Sequence, residues 1–255
     1  MGRFQSEGIE IAYEIYGTGK PIVLVHGFAS NGAINWLDTG WVQTLMEAGY
    51  APITIDNRGH GLSQKLYDPI LYPARVMARD VAGLIEHLQL NQNFGPVPIM
   101  GYSMGARICA FVSMNYPAKV SAAVFGGLGI NMIHGLGGSQ EIVDGLLAPK
   151  LSDVQTKTGR MFRIFAEHTQ SDLKALAACM QSSRDPISAP ALGGIDVPVL
   201  VAVGDVDSIG GSAEELADIL PKGEALVLKG RDHMRATGDK NFKLGVVDFL
   251  SKTPK

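Results

Sequence analysis

Five short runs in the chain are almost continuously apolar: Pro21 to Val25, Ala51 to Ile55, Val97 to Met100, Val120 to Phe125 and Val197 to Val203. A strand that is apolar on both faces is covered on both faces, the pattern of a parallel sheet packed between helices. Phe4 to Tyr16 differs, because apolar and polar residues alternate around Glu7-Gly8, and this predicts an opening β-hairpin. Ala225 to Lys229 reads as a further strand. Between the runs lie segments with helical spacing: Met77, Val81, Leu84, Ile85 and Leu88 make one stripe, Ala106 to Asn115 makes another segment, and Ser212 with Glu215 has the spacing of a capping box. The repeated alternation of strand and helix predicts an α/β fold. Its sheet is mostly parallel and twisted, of about eight strands, with helices on both faces, right-handed crossovers and ligands beyond the carboxyl ends of the strands.

One stretch breaks the rhythm. Leu128 to Pro190 is helical in pattern, rich in methionine and alanine, and has no strand-like run. It predicts a helical cap at 128–190, inserted into a single core made of 1–127 and 191–255. The glycines that open the cap, Gly126 to Gly138, and the loop Pro186 to Gly194 that closes it are expected to act as mobile hinges. A chain of 255 residues is long enough for one such core.

Charge and composition remove several function classes. A formal net charge of -3 with scattered Lys and Arg gives no basic field for a phosphate backbone, so nucleic acid is not an expected partner. Cys109 and Cys179 are too few for a disulfide framework and lack paired metal-ligand spacing, so both are expected to be buried thiols in a reducing compartment. There is no signal-like apolar segment and no run of roughly twenty apolar residues, which predicts a cytoplasmic protein without a membrane span.

The sharpest local signal is Gly101-Tyr102-Ser103-Met104-Gly105, between an apolar run and a helical segment. A serine in a tight strand-to-helix turn is held in strained backbone geometry with its hydroxyl exposed, and the following helix aims its first amides at the reacting centre. A hydroxyl needs a base to become a nucleophile. Of six histidines, His87 lies in a helical segment, His134 and His168 in the cap, and His26 and His60 in turns after early strands; His233 lies on a loop after the strand Ala225 to Lys229. The imidazole in turn needs a carboxylate, and Gly204-Asp205-Val206-Asp207 at the end of a strand offers two that spacing does not separate. Asp232, next to His233, reads better as a turn residue. For the developing oxyanion, the N–H of Met104 is one expected donor. The other is expected from His26-Gly27-Phe28, at Phe28, with Gly27 letting the backbone bend toward substrate.

These residues resemble the α/β-hydrolase family over nearly the whole chain outside the cap. His26-Gly27-Phe28 is similar to its oxyanion loop, Asp56-Asn57-Arg58-Gly59-His60-Gly61-Leu62-Ser63 to its D-x-R-G-x-G-x-S segment, and Gly101 to Gly105 to its nucleophile turn. The resemblance implies that Asp207, last in G-x-x-D, is the acid, that His233 closes G-x-x-H, and that Arg58 and His60 brace loops. Ala106 departs from a glycine common in relatives, and the lipase-type run of three glycines is absent after Gly27. Serine at 103 separates the chain from branches that attack with aspartate. The resemblance implies a carboxylic ester hydrolase acting on a small ester or lactone through Ser103, His233 and Asp207, without metal or organic cofactor. A lactonase, a carbon-carbon hydrolase and a slow-turnover small-molecule receptor are the alternatives. Met132, Met161 and Phe162 are the cap residues expected to line the acyl pocket.

Overall fold

The structure, a computed structural model, describes residues 1–253 apart from Leu136. Its strands are β1 (Gly2–Ser6), β2 (Ile9–Ile15), β3 (Lys20–Val25), β4 (Tyr50–Ile55), β5 (Val97–Tyr102), β6 (Val120–Gly126), β7 (Val199–Gly204) and β8 (Gly223–Leu228). They form one sheet in the order β1-β2-β4-β3-β5-β6-β7-β8, so the expected strand number is met. The opening hairpin is present: β1 pairs antiparallel with β2, Phe4 opposite Ile11. Its turn residues Glu7 and Gly8 both take positive φ, 49° and 82°, as the tight two-residue turn that follows strand twist requires. β2 is antiparallel to β4, and the remaining neighbours are parallel.

Strand ends moved by one or two residues from the expected ones, for local reasons. β5 continues through Gly101 and Tyr102, which pair with Phe125 and Gly126 of β6. β7 starts at Val199 rather than Val197, directly after Pro198, a residue with no N–H to donate to a ladder.

Alternate residues of each strand feed two cores. Val23 and Val25 of β3 face the helices Ala74–His87 and Met104–Asn115, whose Met77, Val81, Leu84, Ile108 and Val112 are fully buried. Ile22 and Leu24 face the other side, packed with Trp41, Leu45, Phe242 and Phe249 of the helices Trp41–Glu47 and Lys240–Lys252. Both faces of the central strands β3 to β7 are thus removed from water, which is why these strands are apolar almost throughout. Ser212 caps its helix as expected, accepting from the Glu215 N–H.

This topology prepares a crevice. β4 lies on one side of β3 and β5 on the other. The connections leaving β3 and β5 therefore diverge, opening a gap at the carboxyl edge of the sheet where the winding changes direction. Four loops meet around that edge: those after β3, β5, β7 and β8. Between β6 and β7 no strand occurs among the described residues; the chain instead forms helices that include Ser139–Leu147, Lys157–His168 and Leu173–Met180. Cys109 and Cys179 are free and fully buried, and burial pushes the Cys179 thiol up to about 12. Among the described residues no helix is long and apolar enough to cross a membrane.

Candidate active site

Ser103 stands between β5 and the helix Met104–Asn115 with φ 55° and ψ −110°. That backbone state is sparsely populated for a residue with a Cβ and carries a strain of about 1–3 kcal/mol. Flanking structure holds it there: the Ser103 N–H donates to Gly126 O at 2.7 Å, and Ser103 O accepts from Ala106 and Arg107 in the first turn of the helix. The glycines on either side are required because only the smallest residue fits there. Neither has positive φ; both are crowded. A Cβ on Gly101 would sit 2.1 Å from Gly105 O, and one on Gly105 would sit 2.0 Å from Val25 O. The motif spacing therefore encodes a close approach of β5, the helix and β3.

The loop after β8 brings His233 to this serine. His233 Nε2 lies 2.9 Å from Ser103 Oγ, and His233 Nδ1 lies 2.7 Å from Asp207 Oδ2. Asp207 Oδ1 accepts the N–H groups of Ile209 and Gly210 at 2.8 and 2.9 Å, so the carboxylate is held from both oxygens. A carboxylate at Nδ1 fixes the proton on that nitrogen and leaves the Nε2 lone pair facing the serine hydroxyl. The Asp207 side chain is fully buried and that of His233 is 13 % exposed.

The two rival carboxylates have other partners. Asp205 Oδ1 accepts from the Gly230 N–H at 2.6 Å, tying the loops after β7 and β8 together. Asp232 accepts from Met234 and Arg235 and caps the short helix His233–Ala236, so it orients the backbone of His233 and not its ring. A further partner was not legible in the sequence: Tyr102, the variable residue of the serine motif, donates its hydroxyl to His233 O at 2.5 Å.

The loop after β3 is built by buried polar groups. His26 donates from Nδ1 to Gly27 O at 2.7 Å and accepts the Asn57 N–H at Nε2, while Asn57 Nδ2 returns to His26 O. Asn35 Oδ1 accepts the Gly27 N–H at 3.0 Å. Among the described residues the N–H groups of Phe28 and Met104 donate to no acceptor, and Met104, as the first helical residue, has none within its helix. Burial pushes His26 down to about 4 and His60 down to about 3, the second also feeling His26, whose ring centroid is 5.2 Å away. Both rings are neutral braces beneath the site.

Arg58 has the same kind of role. Its guanidinium meets Asp80 through two bonds of 2.7 and 2.6 Å and reaches Leu71 O, with both side chains about 1–2 % exposed. Arg58→Met leaves the Asp80 charge buried without a partner, and urea unfolding should show a loss of about 3–5 kcal/mol. A loss below about 1 kcal/mol would mean that water reaches Asp80.

A mainly apolar cavity opens above Ser103 and His233. Gly27, Phe28, Met104 and, from the segment between β6 and β7, Phe162 line it. Met132 and Met161, expected there, do not. Met132 is fully buried in the core beneath, and Met161 points outward with 45 % of its surface exposed. Cavity-lining residues that the sequence reading missed include Asn35, Phe165, Met180, Arg107 and Arg184. Spacing alone carried no signal for them.

A family model described as the alpha/beta hydrolase fold matches residues 20–149. The chain belongs to the α/β-hydrolase family. Among α/β-hydrolase relatives, the non-heme chloroperoxidase CPO-A1 of Kitasatospora aureofaciens is 27% identical over 96% of this chain and 98% of its own length. In structure the chain is similar to a bromoperoxidase from Bacillus anthracis, with a TM-score of 0.76, 24% identity and 96% of both chains covered. It is also similar to the esterase EaEST from Exiguobacterium antarcticum, with a TM-score of 0.82, 20% identity, and 99% of this chain and 100% of the other covered. At these identities the two structural likenesses speak to the fold alone.

Proposed function

We propose that this α/β-hydrolase is a carboxylic ester hydrolase for small substrates, with Ser103 as nucleophile, His233 as general base and acid, and Asp207 as the group that orients His233. The observation carrying this reading is the unbroken chain from Asp207 Oδ2 through both ring nitrogens of His233 to Ser103 Oγ, with steps of 2.7 and 2.9 Å, at the floor of an apolar cavity. Ser103 Oγ attacks the ester carbonyl as its proton passes to Nε2. The oxyanion is received by the N–H groups of Phe28 and Met104, which have no other acceptor among the described residues. His233 then protonates the leaving alcohol, and water, activated by the same ring, releases the acid. Residues 128–190 act as a cap over a core of 1–127 and 191–255, with Phe162 and Phe165 closing the acyl side. The free, buried Cys109 and Cys179 support a cytoplasmic setting.

Full-length similarity to a protein named as a chloroperoxidase supports a second use of the same acyl-enzyme. Hydrogen peroxide replaces water as the attacking group, and the acyl group leaves Ser103 as a peracid while the serine regains its proton.

One substrate panel tests both. p-Nitrophenyl acetate, butyrate and octanoate are given to the wild type and Ser103→Ala, with and without peroxide, alongside fluorophosphonate labelling and mass mapping. Short acyl chains should be turned over fastest, the label should map to Ser103, and Ser103→Ala should lose hydrolysis and peracid formation together. Equal or faster octanoate turnover contradicts the small-substrate reading, and labelling elsewhere contradicts the nucleophile. Lactones or vinylogous diketones cleaved far faster than any ester would move the assignment to a lactonase or a carbon-carbon hydrolase.

A further inference from the structure

The residues that line the cavity include two arginines, Arg107 and Arg184, and no aspartate or glutamate. Arg107, one turn into the helix after Ser103, is held mainly by backbone: Nη1 donates to Met132 O and Asp185 O at 3.0 and 2.6 Å, and Nη2 to Asn131 O at 3.4 Å. It clasps both ends of the segment between β6 and β7 to the core. Arg184 is different. Its bond is a single one, from Nη1 to Gly137 O at 3.2 Å, and no carboxylate among the described residues pairs with it. The adjacent Asp185 faces the surface and pairs with Arg75.

An ester pocket for neutral substrates has no use for a half-buried cation on a cavity that Leu128, Phe162, Phe165 and Met180 also line. Such a charge loses hydration and recovers nothing unless an anion arrives. Burial lowers the ionisation of both arginines below the usual guanidinium range, Arg107 to about 10, and the two charges repel each other. Both are still protonated at neutral pH, so the empty pocket carries positive charge that its own wall does not offset.

We propose that the natural substrate is an ester bearing a free carboxylate, and that Arg184 receives that carboxylate in the cavity while Ser103 attacks the ester carbonyl. A guanidinium fork matches a planar carboxylate in a bidentate way that an ammonium does not. The division of labour follows from the hydrogen bonds: Arg107 places three of its five donors on backbone carbonyls and is anchored by them, whereas Arg184 places one and keeps its other donors for a ligand. This substrate class rests on the esterase reading above, but the anion site can be tested apart from it.

The p-nitrophenyl half-ester of adipic acid and p-nitrophenyl hexanoate have acyl chains of the same length and differ by one carboxylate. With spontaneous hydrolysis subtracted, the wild type should favour the half-ester in kcat/KM by about tenfold or more, as a charge-assisted hydrogen bond allows. Arg184→Met should bring that ratio to about one, and Arg184→Lys should leave it in between. In parallel, adipate binding to Ser103→Ala is measured by calorimetry and repeated after adding Arg184→Met. Binding that depends on Arg184, with neither ester turned over, would retain the anion site and discard ester hydrolysis. A wild-type preference for hexanoate, a ratio unmoved by Arg184→Met, or no adipate binding at millimolar concentration overturns the proposal.

Discussion

Asp207→Asn is expected to lower kcat for ester hydrolysis by about 10⁴-fold with little change in KM, the size of effect that follows loss of the acid in a serine triad. The reason lies in the two oxygens. Oδ1 is held by the Ile209 and Gly210 N–H groups, so Oδ2 is the atom left for His233 Nδ1. In the asparagine variant the backbone donors keep the amide oxygen, and the amide nitrogen, itself a donor, faces the ring. His233 then has to turn its lone pair to that donor and place its N–H toward Ser103, where it cannot take a proton. Shape is retained and the proton path is lost, which is why kcat should suffer more than binding. Asp205→Asn is the control, because Asp205 spends its carboxylate on the Gly230 N–H and not on the ring. Stopped-assay rates for the two variants decide the matter: a large loss in Asp205→Asn with a near-normal Asp207→Asn would reassign the acid.

The second large effect is on stability in mild acid. Burial holds His26 at about 4 and His60 at about 3 in the folded chain, against 6.5 for a free imidazole. Between these values the unfolded chain binds two protons that the folded chain refuses, so stability rises with pH across that window. The contribution is complete above about pH 6.5 and is lost as pH falls toward about 4, where the folded chain begins to accept protons as well. Integrated from pH 6.5 to about 4.5, the loss is about 4 kcal/mol for the pair. Urea unfolding at a series of pH values should show it, with the steepest slope where carboxylates are still ionised. His60→Gln, which keeps a donor for Arg58 O, should reduce that slope by about half. A flat profile between pH 6 and 5 would mean that water reaches both rings. Because His26 also braces the loop that carries Phe28, the same protonation should loosen the proposed oxyanion donors before the whole chain unfolds.

Much of the molecule was readable along the chain because its determinants are local. A strand buried on both faces must be apolar at every position, so β3 to β7 announced themselves; Glu7-Gly8 announced the hairpin through its turn chemistry. Gly101, Ser103 and Gly105 were legible because the close approach of three backbones is compressed into five residues. His233 was legible from its position after a strand. The choice between Asp205 and Asp207 was not available from spacing, since both follow β7; it depends on which carboxylate the fold of the loop turns toward the ring.

The segment between β6 and β7 was the least legible part, and the helix explains why. Adjacent residues on a helix point about 100° apart, so Met161 faces solvent while Phe162 faces the cavity, and which of the two looks inward depends on how the helix Lys157–His168 is rotated against the core. Tyr102 and Arg184 are similar cases, one reaching a carbonyl 131 positions away and the other lining the cavity from near the end of the segment between β6 and β7. What the sequence by itself determined was the alternation of elements, the hairpin, and the local turn that exposes the serine, because each is enforced by neighbours within a few residues. What only the tertiary structure decided was which carboxylate meets His233, which side chains between β6 and β7 line the cavity, and that Arg184, with no carboxylate partner among the described residues, is one of them. These depend on packing between distant segments, for which no short pattern in the chain is a record.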